Sequence, residues 1–274
     1  MKKRLDNDTR NYFLIFTDTV LFINAMTFLA INTVITYFLS NLGATTFQIS
    51  LASAMVSICT FASQPIFAKK AMVLPYKHKT FASLLFTQRF IFLGFIMLIP
   101  FLAVSNPGLT VILFLVFWAI FNFFVGSYSP FFMGLFSKMI PNRQRGRLGG
   151  YSAATGNIIA LGSTYIVGIL LDKVAFPYNY TYIFLIGIFI LIADAFVFLF
   201  LKETPDQIEE ENISYLNYIK QIPKTLKNDR QLLKIIIGNS FIAISNVGLA
   251  YYTLYAIRAF NIKSEQIPIF TAIS

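Results

Sequence analysis

The sequence predicts an all-α membrane protein, and three observations carry this prediction. Seven long apolar runs follow one another along the 274 residues, of which 57% are hydrophobic and only 12% are charged. Each run is long enough to cross a hydrocarbon core of about 30 Å as a helix that rises about 1.5 Å per residue. None of the runs shows the strict alternation that a membrane β-barrel requires. The basic residues, in addition, are concentrated in every second connection between the runs.

The runs span residues 12–39, 46–68, 81–104, 109–137, 149–171, 180–201 and 232–257. The first follows a basic N-terminus, as the apolar part of a signal peptide does. It is too long for an ordinary signal sequence, and no small-residue cleavage site follows it, so we expect it to remain as the first helix. Pro65, Pro100 and Pro130 fall inside the second, third and fourth runs, where we expect them to kink the helices.

The net charge of +10 is distributed in a way that indicates membrane topology rather than nucleic-acid binding. Most Lys and Arg residues lie near the N-terminus and at 69–79, 138–147 and 202–234, whereas the connections 40–45, 105–108 and 172–179 carry only Lys173. The positive-inside rule then places the N-terminus in the cytoplasm, in a multi-pass protein of the cell membrane. The expected surface partner is the lipid bilayer. The richness in Phe, Ile, Lys and Asn is typical of an AT-rich bacterial genome.

Several functional classes fit the sequence poorly. The single cysteine, Cys59, lies inside an apolar run, which excludes disulfides and Cys-based metal sites, and we expect neither a metal nor a cofactor. The only histidine, His78, falls in a basic connection, where a solvated position is expected. A membrane-embedded enzyme would show carboxylates and histidines near one interface, and a channel would show charged rings or a filter loop. Neither pattern is present, so we expect a protein that is not an enzyme.

The longest polar stretch divides the chain into three parts. We expect an N-terminal six-helix bundle at 1–201, a cytoplasmic linker at 202–231 and the start of a second bundle at 232–274. The apolar spacing at 215–226 fits a helix on the membrane surface, interrupted by Pro223, or equally a solvated linker.

Residues 38–49 and 256–267 share a weak pattern of helix end, polar turn, Ser/Thr cap and Gln-Ile. The sequence stops soon after an eighth run begins, so we expect a truncated chain.

One local motif, in the connection between the fourth and fifth runs, resembles a known family. Residues 140–150 place Pro141 before an Arg-Gly-Arg sequence and a Gly-rich helix start. Together with six helices, a long linker and a repeated second half, this resembles the major facilitator superfamily (MFS) of secondary transporters. Residues 64–79, in contrast, keep basic residues but lack the Asp and Gly of that family's signature loop.

The resemblance implies transport of a small organic solute by alternating access between two six-helix bundles, with a proton or Na⁺ as the coupling ion. It also implies a cytoplasmic gating loop that contains Arg143, Arg145, Gly146 and Arg147. A membrane scaffold or remnant that does not transport is the alternative.

Three ionisable residues lie within the predicted spans: Asp18, Arg89 and Asp194. Each would cost about 2.5–3.5 kcal/mol at the bilayer centre, so exposure to lipid without a partner is disfavoured. All three lie at similar depth near the cytoplasmic side, and the third and sixth helices are neighbours in the fold that the sequence resembles. We therefore predict a structural Arg89–Asp194 ion pair. Asp18 is then the candidate for proton coupling or substrate contact, unless it is solvated or bonds locally to Thr17 and Thr19.

Amide side chains recur in four of the predicted helices. With Asp18, they could line a path for a small neutral or weakly charged solute, and the candidates are Asn24, Asn32, Asn122, Asn157, Asn239 and Asn246. Hydrogen bonds between helices explain any single Asn at least as well.

Overall fold

The computed structural model describes residues 2–206, 227, 229–247 and 255. These residues contain helices and no strand. The helices are α1 (Lys2–Phe28), α2 (Thr36–Asn41), α3 (Thr46–Met72), α4 (His78–Ser105), α5 (Pro107–Val125), α6 (Tyr128–Met139), α7 (Asn142–Lys173), α8 (Tyr178–Leu199) and α9 (Arg230–Val247). A π-helical turn, Ile31–Ile35, joins α1 to α2. The predicted all-α membrane bundle is confirmed.

Six membrane-length spans occur in the described part of the chain, and they match the first six predicted runs. They are Asp8–Asn41, Thr46–Met72, His78–Ser105, Pro107–Met139, Asn142–Lys173 and Tyr178–Leu199. The seventh run begins in α9, and the rest of it lies outside the described residues, as do the predicted surface helix at 215–226 and the second copy of the weak repeat.

The short turn between the first and second spans follows from local chemistry. Gly43 ends α2 with a φ of 76°, a left-handed conformation that glycine adopts without a steric penalty. Thr45 then begins α3 through a capping box: its hydroxyl accepts from the Gln48 amide at 3.3 Å, and its own amide donates to Gln48 Oε1 at 2.8 Å. The Ser/Thr cap and Gln-Ile pattern seen in the sequence is therefore a helix start.

Helix α1 packs against α7 and α8, while α4 packs against α5 and α8. Two glycines permit the close approach. A Cβ on Gly187 would lie 2.9 Å from Phe28 Cβ, and one on Gly156 would lie 2.8 Å from Ile23 Cδ1. Small residues at such contacts are the usual basis of helix packing in membranes.

The buried apolar side chains form two clusters, one above the other. The end of the bundle that holds the turns 73–77 and 140–141 and the segment 200–206 is called the basic end here. The cluster nearer to it contains Phe81, Phe131 and Phe198, and the other contains Phe38, Phe92, Phe114 and Trp118.

The boundary between these clusters falls at the same level on three helices. It lies between Ile15 and Ala25 on α1, between Leu85 and Phe92 on α4, and between Leu191 and Ala195 on α8. Asp18, Arg89 and Asp194 occupy these three intervals.

Two of the spans are broken, and not at the prolines. The first span is interrupted at Leu29 and Ala30, where Ala30 has an extended conformation (φ −64°, ψ 110°) before the π-helical turn. The fourth is interrupted at Gly126 and Ser127. In contrast, α3 and α4 continue through Pro65 and Pro100, and Pro130 lies in the first turn of α6, where proline is tolerated.

The close packing of α5 against α3 at Gly126 depends on the absence of a side chain there. A Cβ there would lie 1.9 Å from Ser63 Oγ and 2.6 Å from the backbone oxygen of Thr60. Ser63 could rotate away, but the Thr60 carbonyl could not. We expect Gly126→Ala to push α5 away from α3 and to lower the free energy of unfolding by about 1–3 kcal/mol, the usual cost of overpacking. Thermal unfolding of the purified protein in detergent measures this effect.

The matched control is Gly162→Ala, which is also helical, but a Cβ added there would have no neighbouring atom within 4 Å. It should be neutral or slightly stabilising, because alanine is the better helix former. Equal unfolding temperatures for the two variants would contradict the assigned contact.

Candidate functional site

The three ionisable residues of the spans meet in one buried cluster. Arg89 Nη2 donates to Asp194 Oδ2 at 2.5 Å. The Asp18 carboxyl group interacts electrostatically with both the Asp194 carboxyl group and the Arg89 guanidinium. Tyr128 donates its hydroxyl to Asp18 Oδ2 at 3.5 Å. Asp18 and Asp194 are 0% exposed and Arg89 is 2% exposed. The sequence interpretation treated Asp18 separately, whereas the structure places it with the ion pair.

This cluster has more acidic than basic groups, and its hydrogen bonding is incomplete. Two carboxyl groups face one guanidinium. Asp18 Oδ1, Asp194 Oδ1, Arg89 Nε and Arg89 Nη1 are buried without a hydrogen-bond partner among the described residues. Two neighbouring buried carboxylates repel each other strongly when both are ionised, and such pairs commonly share a proton. One proton would make the cluster neutral and would join the two carboxyl groups by a hydrogen bond.

A cavity of about 440 Å³ adjoins the cluster. Both broken spans contribute to its wall. Its lining is largely apolar and consists of Phe22, Met26, Leu29, Ala30, Ile31, Asn32, Val56, Leu85, Gln88, Arg89, Trp118, Phe121, Asn122, Val125, Tyr128 and Leu191. Irregular backbone at membrane depth is tolerated where protein covers it or where it lines a cavity. Discontinuous helices of this kind form the binding sites of many transporters.

The predicted path residues occupy different environments. Asn32 and Asn122 line the cavity. Asn24 instead links α1 to α7, since it donates to the Gly156 carbonyl at 3.3 Å and accepts from the Ser163 hydroxyl at 3.0 Å. Asn157 is exposed on α7 and is not part of the cavity wall. Asn239 and Asn246 fall in α9, but their side chains lie outside the described residues.

Two wall residues beside the cluster were not predicted from the sequence. Tyr128 begins α6 immediately after the break in the fourth span, and its ring stacks on Phe22 at 5.6 Å between centroids. Gln88 donates to the Phe121 carbonyl at 2.8 Å and so joins α4 to α5. Gln88 precedes Arg89 in the sequence, and this polar pair within an apolar run was the available signal.

The basic end of the bundle holds a second charged network. Glu203 Oε2 accepts from the Lys77 amide at 2.7 Å, the His78 amide at 3.0 Å and His78 Nδ1 at 2.9 Å. Its other oxygen, Oε1, accepts from Lys138 Nζ at 3.1 Å. Asp206 pairs with Lys77 and, at 2.8 Å, with Lys138. The carboxylate of Glu203 therefore caps the N-terminus of α4 and joins three segments of the chain.

His78 is not solvated as the sequence suggested. It is 8% exposed, because it lies in the first turn of α4 against the Glu203 carboxylate. Glu203 comes directly after the sixth span, a region that the sequence interpretation assigned to the linker. Burial alone would raise the pKa of Glu203, but hydrogen bonds from His78, Lys138 and the backbone amides outweigh it and hold the pKa below its ordinary value.

The predicted gating residues lie in the first turns of α7, which begins at Asn142. Arg145 donates to the Ile140 carbonyl at 2.9 Å and to the Ser137 carbonyl at 2.6 Å, and so caps the C-terminal end of α6. Arg143, Gly146 and Arg147 are exposed. The structure therefore separates Arg145, which holds two helices together, from its neighbours.

A multi-pass helical bundle with buried charges beside a central cavity defines a class of membrane protein that handles small solutes. Comparison with protein families matches residues 18–274 to the Major Facilitator Superfamily. The chain belongs to this superfamily and is a membrane transporter. A comparison with curated proteins gives no significant match.

The network at the basic end should make the stability of the protein depend on pH. Because the folded-state pKa of Glu203 lies below its unfolded value of about 4.3, its stabilisation is complete above that value and is lost as the pH falls through the folded-state pKa. We expect Glu203→Gln to lower the free energy of unfolding at neutral pH by about 1–3 kcal/mol and to flatten the loss of stability on acidification. Unfolding temperatures measured in detergent between about pH 7 and pH 3 test this expectation.

Asp206→Asn is the comparison variant. Burial raises the pKa of Asp206, but its bonds to Lys138 and Lys77 together lower it below its ordinary value. The Asp206 side chain is 34% exposed, whereas that of Glu203 is fully covered, so Asp206→Asn should have the smaller effect. An acid profile that is unchanged by Glu203→Gln would contradict the assignment.

Proposed function

We propose that this transporter moves a small organic solute by alternating access and couples the movement to protons that bind the Asp18–Arg89–Asp194 cluster. The observation that carries the proposal is the pair of fully buried carboxyl groups beside a single guanidinium, next to a cavity. Ionisable residues inside a membrane are costly, and they commonly mark proton relays and substrate paths.

Proton coupling fits the cluster better than Na⁺ coupling. A sodium ion would need several oxygen ligands, and the Arg89 guanidinium already occupies Asp194 Oδ2 at 2.5 Å and repels a second cation. A proton needs only the space between two carboxyl oxygens. Asp18 Oδ1 and Asp194 Oδ1 are both buried and have no hydrogen-bond partner among the described residues. Binding and release of one proton there would change the cluster from net negative to neutral.

The position of the cluster supports coupling to a conformational change. It joins α1, α4 and α8 at the boundary between the two apolar clusters. Through Tyr128 it also contacts the broken fourth span. Breaks and π-helical turns are common where helices move at functional sites. A change in charge at this level would therefore act on both segments that line the cavity.

The remaining assignments belong to the same proposal. We place the N-terminus and the basic end in the cytoplasm and the protein in the plasma membrane of a bacterium, because Lys and Arg collect at that end. The linker at 202–231 would connect the six-helix bundle to a second bundle that begins at 232. The first turns of α7, with Arg143, Arg145, Gly146 and Arg147, would act as the gating segment between the bundles.

The shared proton can be detected without knowing the substrate. Infrared difference spectra between acidic and alkaline buffer should show the carbonyl stretch of a buried protonated carboxyl group in the wild type. Asp18→Asn and Asp194→Asn should each lose that band, because the remaining carboxylate is then paired with Arg89 and stays ionised. Asp172→Asn, an exposed residue near the end of α7, should keep it. A band that persists in both cluster variants would place the proton elsewhere.

Transport can be tested by uptake of labelled neutral, cationic and anionic solutes into proteoliposomes under an imposed pH gradient. We expect the wild type to accumulate at least one class. Asp18→Asn should abolish accumulation driven by the gradient but retain equilibrium exchange, because an amide resembles a carboxyl group that cannot release its proton. Asp172→Asn should behave as wild type. Full gradient-driven accumulation by Asp18→Asn would refute proton coupling at this cluster.

A further inference from the structure

We propose that the cavity takes small apolar carboxylates and that their carboxylate group binds the guanidinium of Arg89. This inference rests on the proposed function, because it assigns a class of substrate to the same site. It follows from the charge of the cavity wall, the unused donors of Arg89 and the charge balance of the cluster behind it.

The wall presents one charge within an apolar surface. Among the described residues that line the cavity, only Arg89 carries a formal charge. Asp18 and Asp194 are not part of the wall and are 0% exposed. Aromatic rings surround the same space, with Trp118 and Phe121 stacked at 5.4 Å between centroids. A solute in the cavity therefore meets a cation and apolar rings, which favours an anion that carries an apolar body.

Arg89 has donors available for such an anion. Its Nη2 group is used by Asp194, whereas Nε and Nη1 have no acceptor among the described residues. Two of the three amides of the wall already donate to the backbone, Gln88 to the Phe121 carbonyl and Asn122 to the Trp118 carbonyl, each at 2.8 Å, and the third is the neutral Asn32. A guanidinium binds a carboxylate through two parallel N–H groups, which gives both affinity and selectivity for that planar group. Each such pair of N–H groups on Arg89 includes Nη2, so a carboxylate bound in this way would take Nη2 together with Nε or Nη1 and displace Asp194.

The charge balance predicts that a proton accompanies the solute. When the cluster holds one proton, it contains one cation, one carboxylate and one carboxylic acid, and it is neutral. An arriving carboxylate would add an uncompensated buried negative charge, which is strongly disfavoured. If it displaces Asp194 from Arg89 and Asp194 takes up a second proton, the site is neutral again. One proton per carboxylate therefore enters, and net movement is electroneutral.

The cavity volume limits the size of the solute. At about 440 Å³, it lies in the lower part of the range of about 300–1,000 Å³ that is usual for small-molecule sites. A single ring or a short chain with one carboxylate fits this space.

Trp118 is the only tryptophan of the chain and lines the cavity, so its fluorescence reports occupancy directly. The probes are cyclohexanecarboxylate, cyclohexanecarboxamide and cyclohexylmethylamine, which share the same ring, and none of them absorbs where tryptophan does. Titration of the purified 274-residue protein in detergent should show saturable binding of the carboxylate. We expect the amide and the protonated amine to bind at least about tenfold more weakly, the effect of losing one charge-assisted interaction.

Two variants test the role of Arg89. Arg89→Gln should lose the preference for the carboxylate over the amide. Because this variant leaves Asp194 without its partner and could fail to fold, the double variant Arg89→Met with Asp194→Asn removes both charges together. It should bind the carboxylate no more tightly than the amide, because no cation then remains in the wall. Lys173→Gln, an exposed change in the last turn of α7, should keep the wild-type preference.

A pH-indicator dye in weakly buffered solution should report proton uptake when cyclohexanecarboxylate binds the wild type and none when it binds the double variant Asp18→Asn with Asp194→Asn, in which Arg89 alone neutralises the ligand. Equal binding of the amide, stronger binding of the amine, or no fluorescence response to any probe would overturn the inference. Selective carboxylate binding that depends on Arg89, without gradient-driven uptake into proteoliposomes, would support the inference and refute the proposed transport function. A failure of the inferred carboxylate site and a failure of the proposed transport function therefore give different results.

Discussion

The ion pair between Arg89 and Asp194 is the contact on which the arrangement of the bundle depends. Removing either charge from water into a membrane interior is costly, and the cost is offset only when the charges meet with good geometry. The 2.5 Å contact fixes α4 against α8 at one level of the bundle. Helix α1 brings Asp18 to the same level, and it approaches α7 closely at Gly156 and α8 closely at Gly187. The two apolar clusters, one on each side of this level, cover the charges.

The cluster is nevertheless incomplete, and this distinguishes it from a purely structural salt bridge. Four buried polar atoms on its three side chains have no partner among the described residues. Such atoms are rare in a stable core. A buried polar group without a hydrogen bond costs more free energy than a formed hydrogen bond contributes to stability. The proton and the carboxylate proposed above would supply partners for these atoms. Two of the atoms are carboxyl oxygens, which would bind the proposed proton. The other two are guanidinium donors, which would bind the proposed anion.

The sequence predicted the spans well because hydrophobic length is a strong signal, and the Arg89–Asp194 contact because unpaired charges at equal depth are costly. It did not predict the place of Asp18, since depth along a helix does not say which way a side chain points around it. The breaks at Ala30 and Gly126 were missed because proline was the expected signal, whereas neither break contains a proline and Gly126 packs closely against α3. Glu203 was missed because it follows a span and resembles the start of a linker.

The two charged networks differ in a way that suggests how the bundle would move in the proposed cycle. At the basic end, Glu203 uses both oxygens and caps α4 while it binds Lys138 at the end of α6. Arg145 ties α6 to α7 at the same end. These satisfied contacts bind neighbouring helices of the six-helix bundle to one another, so this end should move as a rigid unit. The cluster at Asp18 instead lies on the first broken span and contacts the second through Tyr128, and in the proposed cycle it would change its charge with each proton. Local change is therefore expected around the cavity, where a solute and a proton can alter the same set of contacts.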